Sequence, residues 1–574
     1  MDINNFIKNY KNEEKILHSY DTLSDKLTSI CNSNSINLHI LSNILYEMNM
    51  FHALSKLFQI CANSRKHRSF WKKLDNQIQE KTNLYKNNIN LYKHLNKILQ
   101  KNNNPIDIYF IKKIIKYNNK NGLEYYNTHT YNNVQSVLNK MNMIIKELIC
   151  PDIVIKTLYE NFHSLILLRY KYSKLLYFDN YINTKSTINL SNLKLLLKKL
   201  IDETNDKCYE ELTYLSLNIN KNILNIPNIQ QYIITQYNKY TFNLSDVFPV
   251  IFKIISKYFL LEFIKVDYPN TWNNKVDLYI IYHKKSIYGY IYVDLYKRTG
   301  KIHQIMSLVL SDPIVSENNI KQPYYALIGN YENTINYLDI INIFIEFGSI
   351  IYNIFHRTQY STHDCPSSIL FINKIMECIA HDPDTIKLFS TQNHKKIHNI
   401  LNLDKCFKIK YKCIYALYDY YLHSSEIINE NDIYSKFTEI TRMILDKSHN
   451  LVNIELTKTN IMELIYNGGL IHYNIINIIN AYNTYNYFKS QNKFDILIQL
   501  LQNTNNTFHN ILLNYIDEYK IDIDIYNTTN YLTNTFTLPD KPLHKHPHKQ
   551  TILQKSNYSN IQYITEQENY YTEN

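Results

Sequence analysis

Glycine and proline are scarce in this chain, whose 574 residues include 7 Gly and 12 Pro. Both residues interrupt regular structure, glycine through its backbone freedom and proline through its fixed φ angle. Their scarcity predicts long helices and excludes a glycine-rich loop of the kind that binds phosphate groups. A mobile glycine-rich loop of any other kind is equally hard to build from seven glycines.

Closely spaced cysteines are also missing, because no C-x-x-C sequence occurs. This absence argues against a zinc knuckle and against a redox pair. The eight cysteines are scattered along the chain: Cys31, Cys61, Cys150, Cys208, Cys365, Cys378, Cys406 and Cys413. We therefore expect free thiols in a reducing compartment.

Long hydrophobic runs are lacking as well. No apolar run approaches the roughly 18 uninterrupted residues of a membrane-spanning helix, so no membrane span is expected. The first four residues, MDIN, do not resemble a secretory signal. They also lack the Arg-rich, amphipathic character of a mitochondrial presequence.

The residues that are present give a skewed but globular composition. Hydrophobic residues make up 45% of the chain, which favours a packed core over disorder. The 53 tyrosines, together with abundant Asn, Ile and Lys, indicate an AT-rich genome. The net charge of +11 follows from the same bias. One alternative, a basic nucleic-acid-associated structural protein, depends on this charge alone and would need basic residues clustered on one face.

Helical periodicity dominates the first part of the chain. Apolar residues recur at helical spacing in residues 38–57, 84–99, 137–148 and 190–200. An N-terminal helical lobe is therefore expected over residues 1–235. The densest basic patch, residues 65–73, lies inside such a pattern and is interpreted as a solvated helix face.

A small β-sheet is predicted next. Residues 276–282 and 288–296 are rich in aromatic and β-branched side chains, and a short polar segment between them indicates a hairpin. Residues 324–329 resemble a third strand. A second lobe is expected over residues 236–535, and the proline-containing residues 536–574 are expected to be a disordered tail.

Three consecutive segments carry known motifs. Residues 289–301, GYIYVDLYKRTGK, follow the pattern G-x-x-Y-x-D-L-x-x-R-x-G-K. Residues 323–355 resemble P-x-x-A-L-x-x-N-F … L-F-H-E-F-G-H-x-x-H in residue order, although none of the three histidines is present. Residues 357–377 are similar to R-T-x-Y … C-P … L-M-E. Weaker collinear matches occur at residues 24–27, 90–92 and 406–423.

In this order the motifs resemble the oligopeptidase family of zinc metallopeptidases, which includes mitochondrial intermediate peptidase and thimet oligopeptidase. The resemblance covers roughly residues 15–520. It implies a mostly α-helical, two-lobed fold with a deep central channel and a small sheet before the zinc helix. In the family, three side chains bind zinc and a glutamate activates the bound water.

The resemblance places the metal ligands on residues that cannot bind zinc. The first position is Ile345, the second is Ser349, and the third is Leu370 or Phe371. None of these offers the imidazole or carboxylate that zinc requires. The general-base position is retained as Glu346. No zinc or other cofactor is therefore predicted, and Glu346 is expected to be a non-functional remnant of the catalytic site.

The family's Gly/Tyr-rich loop, which holds substrate and stabilises the oxyanion, falls on residues 467–475. Tyr473 and His472 are the candidate substrate contacts there. His394 and His398 share one helix face without a neighbouring acid, so a solvated face is expected. The tail histidines are also interpreted as solvated: His544, His546 and His548.

These observations predict a catalytically inactive pseudopeptidase that acts as a peptide-binding protein or a scaffold subunit. A peptide or protein partner in or around the channel is expected, whereas nucleic acid is not. The alternative within the family is an active zinc metalloendopeptidase that processes peptides or presequences through unidentified ligands. A mitochondrial location follows from the resemblance only, and a cytoplasmic one is the alternative.

Overall fold

A computed structural model of the chain describes residues 3–502, with gaps at 34, 63, 150–152, 154, 186–189, 317–318, 359, 361–365 and 425–428. Helices account for most of these residues, so the prediction of a mostly α-helical fold is confirmed. The predicted tail and the last part of the predicted second lobe lie outside the described residues.

Six helices open the chain, as the scarcity of glycine and proline predicts. They are α1 Ile3–Lys8, α2 Glu13–Asn32, α3 Leu38–Cys61, α4 Arg65–Lys86, α5 Ile89–Lys101 and α6 Pro105–Lys120. Asparagine begins four of them, because its side chain accepts hydrogen bonds from backbone N–H groups of the first turn.

A second helical group follows a 3₁₀ turn at Leu123–Tyr125. It comprises α7 His129–Leu148, α8 Ile155–Leu175, α9 Tyr181–Lys185, α10 Leu190–Ile219, α11 Ile226–Tyr237 and α12 Leu244–Phe259. The strands lie mostly after this group: β1 Leu224–Asn225, β2 Thr241–Asn243, β3 Leu261–Lys265, β4 Asp277–His283, β5 Ser286–Tyr296, β6 Met306–Ser311, β7 Ile314–Ser316, β8 Asn319–Lys321, β9 Tyr324–Tyr331, β10 Thr334–Asn336 and β11 Val452–Asn453.

The remaining elements are helical apart from β11, with a 3₁₀ turn at Asp446–Asn450. They are α13 Tyr337–Phe355, α14 Pro366–His381, α15 Pro383–Phe389, α16 His394–Leu401, α17 Lys405–Ser424, α18 Glu430–Leu445, α19 Lys458–Asn467, α20 His472–Gln491 and α21 Phe494–Gln502. Helices α13, α14 and α20 pack side by side, and α17 also packs on α20.

Five strands form the main sheet in the order β3-β4-β5-β9-β6. The predicted hairpin is β4–β5, and its two-residue turn places Lys284 and Lys285 at positive φ. Strands β5 and β9 are parallel, whereas the other neighbouring pairs are antiparallel. Strand β6 is an edge strand of this sheet, and the sequence pattern did not predict it.

Two hydrophobic cores lie on opposite faces of this sheet. Helices α1–α6 pack on one face, against residues such as Tyr292 and Ile328. Helices α7 to α21 share the other core, which includes Ile291 and Leu327. The alternation of side chains along β5 and β9 therefore decides which core each residue joins. The lobe boundary at residue 235 stays a prediction.

One helix prediction was wrong. Residues 84–99 do not form a single helix, because α4 ends at Lys86 and α5 begins at Ile89. The side chain of Asn88 accepts a hydrogen bond from the N–H of Leu91 at 2.8 Å, which starts a new helix. The helical spacing of the apolar residues continues across the break, and this continuity concealed it.

Helix α13 is long and apolar enough to cross a membrane by length and composition alone. However, 72% of its most hydrophobic window is buried inside the protein. It is therefore the central helix of the larger core, and it carries the residues that the zinc motif singled out.

Candidate functional site

Helix α13 is held in place at its start by a capping box. The Asn336 side chain accepts a hydrogen bond from the N–H of Asp339, and the Asp339 carboxylate accepts one from the N–H of Asn336, both at 3.1 Å. Burial raises the pKa of Asp339 to about 6, and the bond from Asn336 opposes part of this shift. This capped start fixes the three site residues that α13 contributes.

Glu346 lies at the centre of the candidate site and is 2% exposed. Its Oε2 accepts a hydrogen bond from the backbone N–H of Ser307 on β6, at 2.5 Å. Burial raises the pKa of Glu346 to about 7, because the bonds from Ser307 offset only part of the desolvation. Among the described side chains, no cation forms an ion pair with this carboxylate.

The second ligand position belongs to a polar contact between α13 and α14. The hydroxyl of Ser349 donates a hydrogen bond to Oδ1 of Asn373 at 3.1 Å, and both residues are buried. Gly348 allows this contact, since an added Cβ would lie 2.5 Å from Asn373 Oδ1 and 2.6 Å from its Cα. The two helices therefore approach each other closely at the position that the motif assigns to the second ligand.

The first and third ligand positions are occupied by apolar side chains, which have no atom that could bind a metal. Ile345 packs against the larger core while remaining partly exposed, and Phe371 is buried in that core. Leu370 is half-buried beside it. The donor set for a family zinc site is thus an alkyl group, a hydroxyl committed to Asn373, and a second hydrocarbon. These residues do not fit a zinc ion.

No alternative metal site occurs in the part of the chain that the structure describes. Within it, no group of three or more His, Cys, Asp or Glu side chains is placed to hold a metal ion. His394 donates from Nδ1 to the Thr391 carbonyl at 2.8 Å, and burial lowers the pKa of His398. The three tail histidines lie outside the described residues.

The loop at 467–472 is anchored by a buried carboxylate, Asp419 on α17. Asp419 accepts hydrogen bonds from the N–H of Gly469, at 2.8 and 3.0 Å, and from the N–H of Ile471, at 3.2 Å. Gly469 has a φ of +85°, a left-handed conformation that glycine adopts without strain. The loop that the resemblance assigns to substrate binding is therefore held by the buried Asp419.

A histidine and an arginine complete this anchor. Nη1 of Arg169 donates to Nε2 of His423 at 2.9 Å, so the proton of His423 is on Nδ1, which is 2.8 Å from Asp419 Oδ1. Burial lowers the pKa of His423, although Asp419 opposes this, and the ring is neutral. Arg169 also donates to the carbonyls of Leu464 and Ile465. The chain Arg169–His423–Asp419 thus ties α8, α17 and the end of α19 together.

The two predicted substrate contacts lie at the start of α20. His472 is buried, and desolvation lowers its pKa while the charge of Asp419 opposes the shift. Tyr473 belongs to α20, but its side chain lies outside the described atoms. Their substrate-binding role stays a prediction.

The Asp294 motif of the first segment is a structural cluster. Asp294 accepts hydrogen bonds from both terminal nitrogens of Arg298, at 2.5 and 2.6 Å, and from Lys301 Nζ at 2.6 Å. Trp272 Nε1 donates to it at 2.7 Å. Arg298 also donates to the carbonyl of Cys61 on α3 at 2.9 Å. This cluster joins the sheet to the N-terminal helices.

Sequence reasoning assigned no role to three residues that help to define the site. Ser307 lies on the unpredicted strand β6, Asn373 lies one turn from the third ligand position, and Asp419 lies far along the chain. Asp419 does precede His423 by four residues on one helix face, a spacing that could have indicated their pairing. Ser307 and Asn373 gave no signal, because their roles depend on helix and strand contacts.

The comparisons with known proteins identify the family. The model of peptidase family M3 matches residues 156–497, more than half of the chain. The chain therefore belongs to peptidase family M3. No curated protein matches it.

Solved structures show the same fold at low sequence identity. A putative peptidase from Chlamydophila abortus is 14% identical, with a TM-score of 0.56 and coverage of 93% of this chain and 98% of that one. A carboxypeptidase from Pyrococcus furiosus is 10% identical, with a TM-score of 0.57 and coverage of 86% and 97%. A putative oligoendopeptidase F from Bacillus anthracis str. Ames is 12% identical, with a TM-score of 0.53 and coverage of 90% and 97%. These likenesses concern the fold.

Proposed function

We propose that this chain is a zinc-free pseudopeptidase of family M3 that binds peptides or assembles with a protein partner without cleaving either. The observation that carries the proposal is the donor set at the zinc position. Ile345 and Phe371 have no lone pair to offer, and the hydroxyl of Ser349 already donates to Asn373. Substitution at all three positions, on two helices, is difficult to reconcile with a retained metal site.

The environment of Glu346 supports the same proposal. A general base in this chemistry removes a proton from metal-bound water, and it must reach that water. The Glu346 carboxylate is instead buried and accepts a hydrogen bond from the edge strand of the sheet. Its raised pKa of about 7 leaves it partly protonated near neutral pH.

The test is a combined metal and activity measurement on the purified full chain. We expect less than about 0.1 zinc per chain by elemental analysis after growth with added zinc, and no cleavage of a mixed octapeptide library. The control is Glu346→Gln, which should behave as the parent does in both assays. One zinc per chain together with turnover that Glu346→Gln abolishes would overturn the proposal and restore the active metalloendopeptidase.

Within the family, the proposal favours the branch of mitochondrial intermediate peptidase, because residues 357–377 follow that branch's pattern. A mitochondrial location is proposed on the same resemblance. Fractionation of cells that express the full chain tests it, and recovery with cytoplasmic markers alone would contradict it.

A further inference from the structure

Strand β3 forms one edge of the main sheet. Among the described strands it pairs with β4 alone, and we define the free edge as the side of β3 that faces away from β4. Three large apolar side chains lie exposed along this part of the chain: Leu260, Ile264 and Tyr268, which are 49%, 50% and 102% exposed. An unpaired strand beside exposed apolar side chains is a place where another extended segment can add to a sheet.

Two residues of β3 direct their backbone groups toward the free edge. The N–H of Val266, just after the strand, donates to the carbonyl of Leu278 at 2.8 Å. Bonded residues alternate along an antiparallel pair, so Ile264 also faces β4. Phe263 and Lys265, at the alternate positions, therefore present N–H and C=O groups to the free edge. Outside the strand pairs, no described residue bonds to these groups.

Helix α12 lies along one face of this edge. The ring of Phe252 stacks on that of Phe263, with 4.2 Å between the ring centroids, and it also contacts Tyr279 on β4. One turn later, the hydroxyl of Ser256 donates to the first carbonyl of β3. The helix therefore directs Phe252 and Ser256 at the sheet.

The two remaining sides of α12 differ in character. Ile251 and Ile255, on one side of Phe252, are fully buried in the larger core. Lys253 and Lys257, on the other side, are exposed and therefore lie beyond the free edge. Lys253 makes no hydrogen bond or ion pair with a described residue, and Lys257 has only a cation–π contact with the ring of the next residue, at 5.3 Å.

Nearby acids do not neutralise these two lysines. The acids of α12, of β3 and of the segments next to β3 are Asp246, Glu262, Asp267 and Asp277. Asp277 is paired with Lys265 at 2.8 Å, and Glu262 belongs to the opposite face of β3. Asp246 and Asp267 are about 10 Å or more from the level of Lys253 along the helix and the strand. The α12 side of the free edge is therefore positively charged.

An alternating segment lies farther along the same chain, outside the described residues. Residues 520–526 read KIDIDIY, so isoleucine and aspartate alternate over residues 521–525, which we call the Ile/Asp segment. This is the period of a β-strand with one apolar face and one charged face. Its five residues match the length of β3.

The last described helix begins close to the free edge. The ring of Phe494, at the start of α21, lies 4.7 Å and 6.3 Å from those of Tyr258 and Phe259 at the end of α12. Gln502 is about 12 Å farther along α21. Residues 503–520 span up to about 60 Å when extended, which is ample for the Ile/Asp segment to reach β3.

We propose that the Ile/Asp segment of the same chain pairs with the free edge of β3 and extends the main sheet by one strand. Its two aspartates lie on the α12 side, next to Lys253 and Lys257, and its isoleucines cover Ile264 on the other side. The reverse orientation would place both aspartates on the side of Glu262, where like charges repel. The inference goes beyond the proposed function and is independent of whether the chain binds zinc.

Hydrogen exchange, resolved residue by residue on the full chain, tests the pairing. The added strand should protect the N–H groups of Phe263 and Lys265, whereas that of Ile264 is bonded to β4 in any case. A variant that combines Ile523→Pro with Asp524→Pro loses one N–H that faces β3 whichever register the segment adopts. We expect both outward N–H groups to exchange at least about tenfold faster in this variant, and that of Ile264 to change less than about twofold.

The matched control places the same pair of prolines farther along the chain, as Ile564→Pro with Thr565→Pro, and should behave as the parent does. Phe536→Pro tests the uncharged alternating residues 532–538. Fast exchange of both outward N–H groups in the parent, or equal acceleration in the control, would overturn the inference. Acceleration by Phe536→Pro alone would overturn the assignment to the Ile/Asp segment. Protection that rises with protein concentration would assign the edge to a second copy of the chain instead.

Charge reversal tests the orientation without proline. Asp522→Lys with Asp524→Lys should speed the exchange of the outward N–H groups about threefold or more, and Lys253→Glu with Lys257→Glu should do the same. All four substitutions together restore opposite charges, so protection should return to within about twofold of the parent.

The control for charge reversal uses two exposed lysines of α16, as Lys395→Glu with Lys396→Glu, and should leave the exchange unchanged. Unchanged exchange in either charge-reversed pair would contradict contact between the Ile/Asp segment and α12. The same conclusion would follow if the combination of all four substitutions failed to recover protection.

Discussion

Two buried carboxylates of this molecule have opposite surroundings. Asp294 is surrounded by the guanidinium of Arg298, the ammonium of Lys301 and the indole N–H of Trp272. Glu346, equally removed from solvent, accepts hydrogen bonds from Ser307 alone among the described residues. The negative charge of Asp294 is compensated by cationic partners, whereas that of Glu346 is not compensated by any described side chain.

The two carboxylates therefore differ in what they contribute to the fold. The Asp294 cluster connects β5 to helix α3 through Arg298, so its loss would separate parts of the structure. Glu346 has only Ser307 as a hydrogen-bond partner among the described residues. Under the proposed function, the described residues keep the contacts that join the elements of the fold and offer no zinc ligand at the motif's ligand positions.

The largest expected loss of stability comes from removing the charge of Asp294. Asp294→Asn leaves Lys301 and Arg298 buried beside a neutral amide, which should lower the free energy of unfolding by about 3–5 kcal/mol. Urea denaturation at pH 7 measures it. The control Asp277→Asn breaks an exposed pair with Lys265 and should cost less than about 1 kcal/mol. Similar losses in both variants would contradict the comparison.

Removing the charge of Glu346 should have the opposite effect and raise the free energy of unfolding at neutral and alkaline pH. A raised carboxyl pKa means that the folded state binds the proton more tightly than the unfolded state does. The stabilisation is complete below pH 4.5 and is lost as the pH rises through about 7. Glu346→Gln removes this loss, so the variant should match the parent at pH 4.5 and exceed it by up to about 3 kcal/mol at pH 8.

Urea titrations across this pH range measure the difference between Glu346→Gln and the parent. Burial also raises the pKa of Glu211 and Asp339, so only the difference isolates Glu346. The control Glu332→Gln, on a side chain that is 68% exposed, should leave the pH dependence unchanged. A Glu346→Gln variant less stable than the parent at pH 8 would show that the carboxylate is stabilised by a partner.

The smallest effect should come from the contact between α13 and α14. Gly348→Ala places a methyl group against the backbone of Asn373, so the helices must separate, at a cost of about 1–3 kcal/mol. Ser349→Ala removes only the bond to Asn373 and should cost about 1 kcal/mol. Thermal unfolding of both variants tests the order, and a stabilising Gly348→Ala would rule out the close approach.

The sequence predicted the fold better than the site. Helical periodicity and the motif order identified the helices around the sheet, the β4–β5 hairpin and the family, because these depend on patterns along the chain. The continuous pattern across Asn88 concealed a helix break, since one side-chain cap decides it. Strand β6 went unpredicted because its short sequence, MSLVLS, has no clear alternation.

The motif identified the residues at the zinc-ligand positions, but it could not predict their contacts. Ser349 meets Asn373 and Glu346 meets Ser307 only because two helices and a strand converge there.

The apolar composition of helix α13 also matters before the chain has folded. Until the core forms, this 19-residue segment is exposed and is apolar enough to enter a lipid bilayer. Asp339 and Glu346 are its only ionisable acidic or basic residues, apart from tyrosine, and Glu346 lies at its middle. A charged side chain at the centre of a spanning helix costs about 2.5–3.5 kcal/mol on insertion scales. The charge of Glu346 thus opposes insertion of the newly made chain into a membrane.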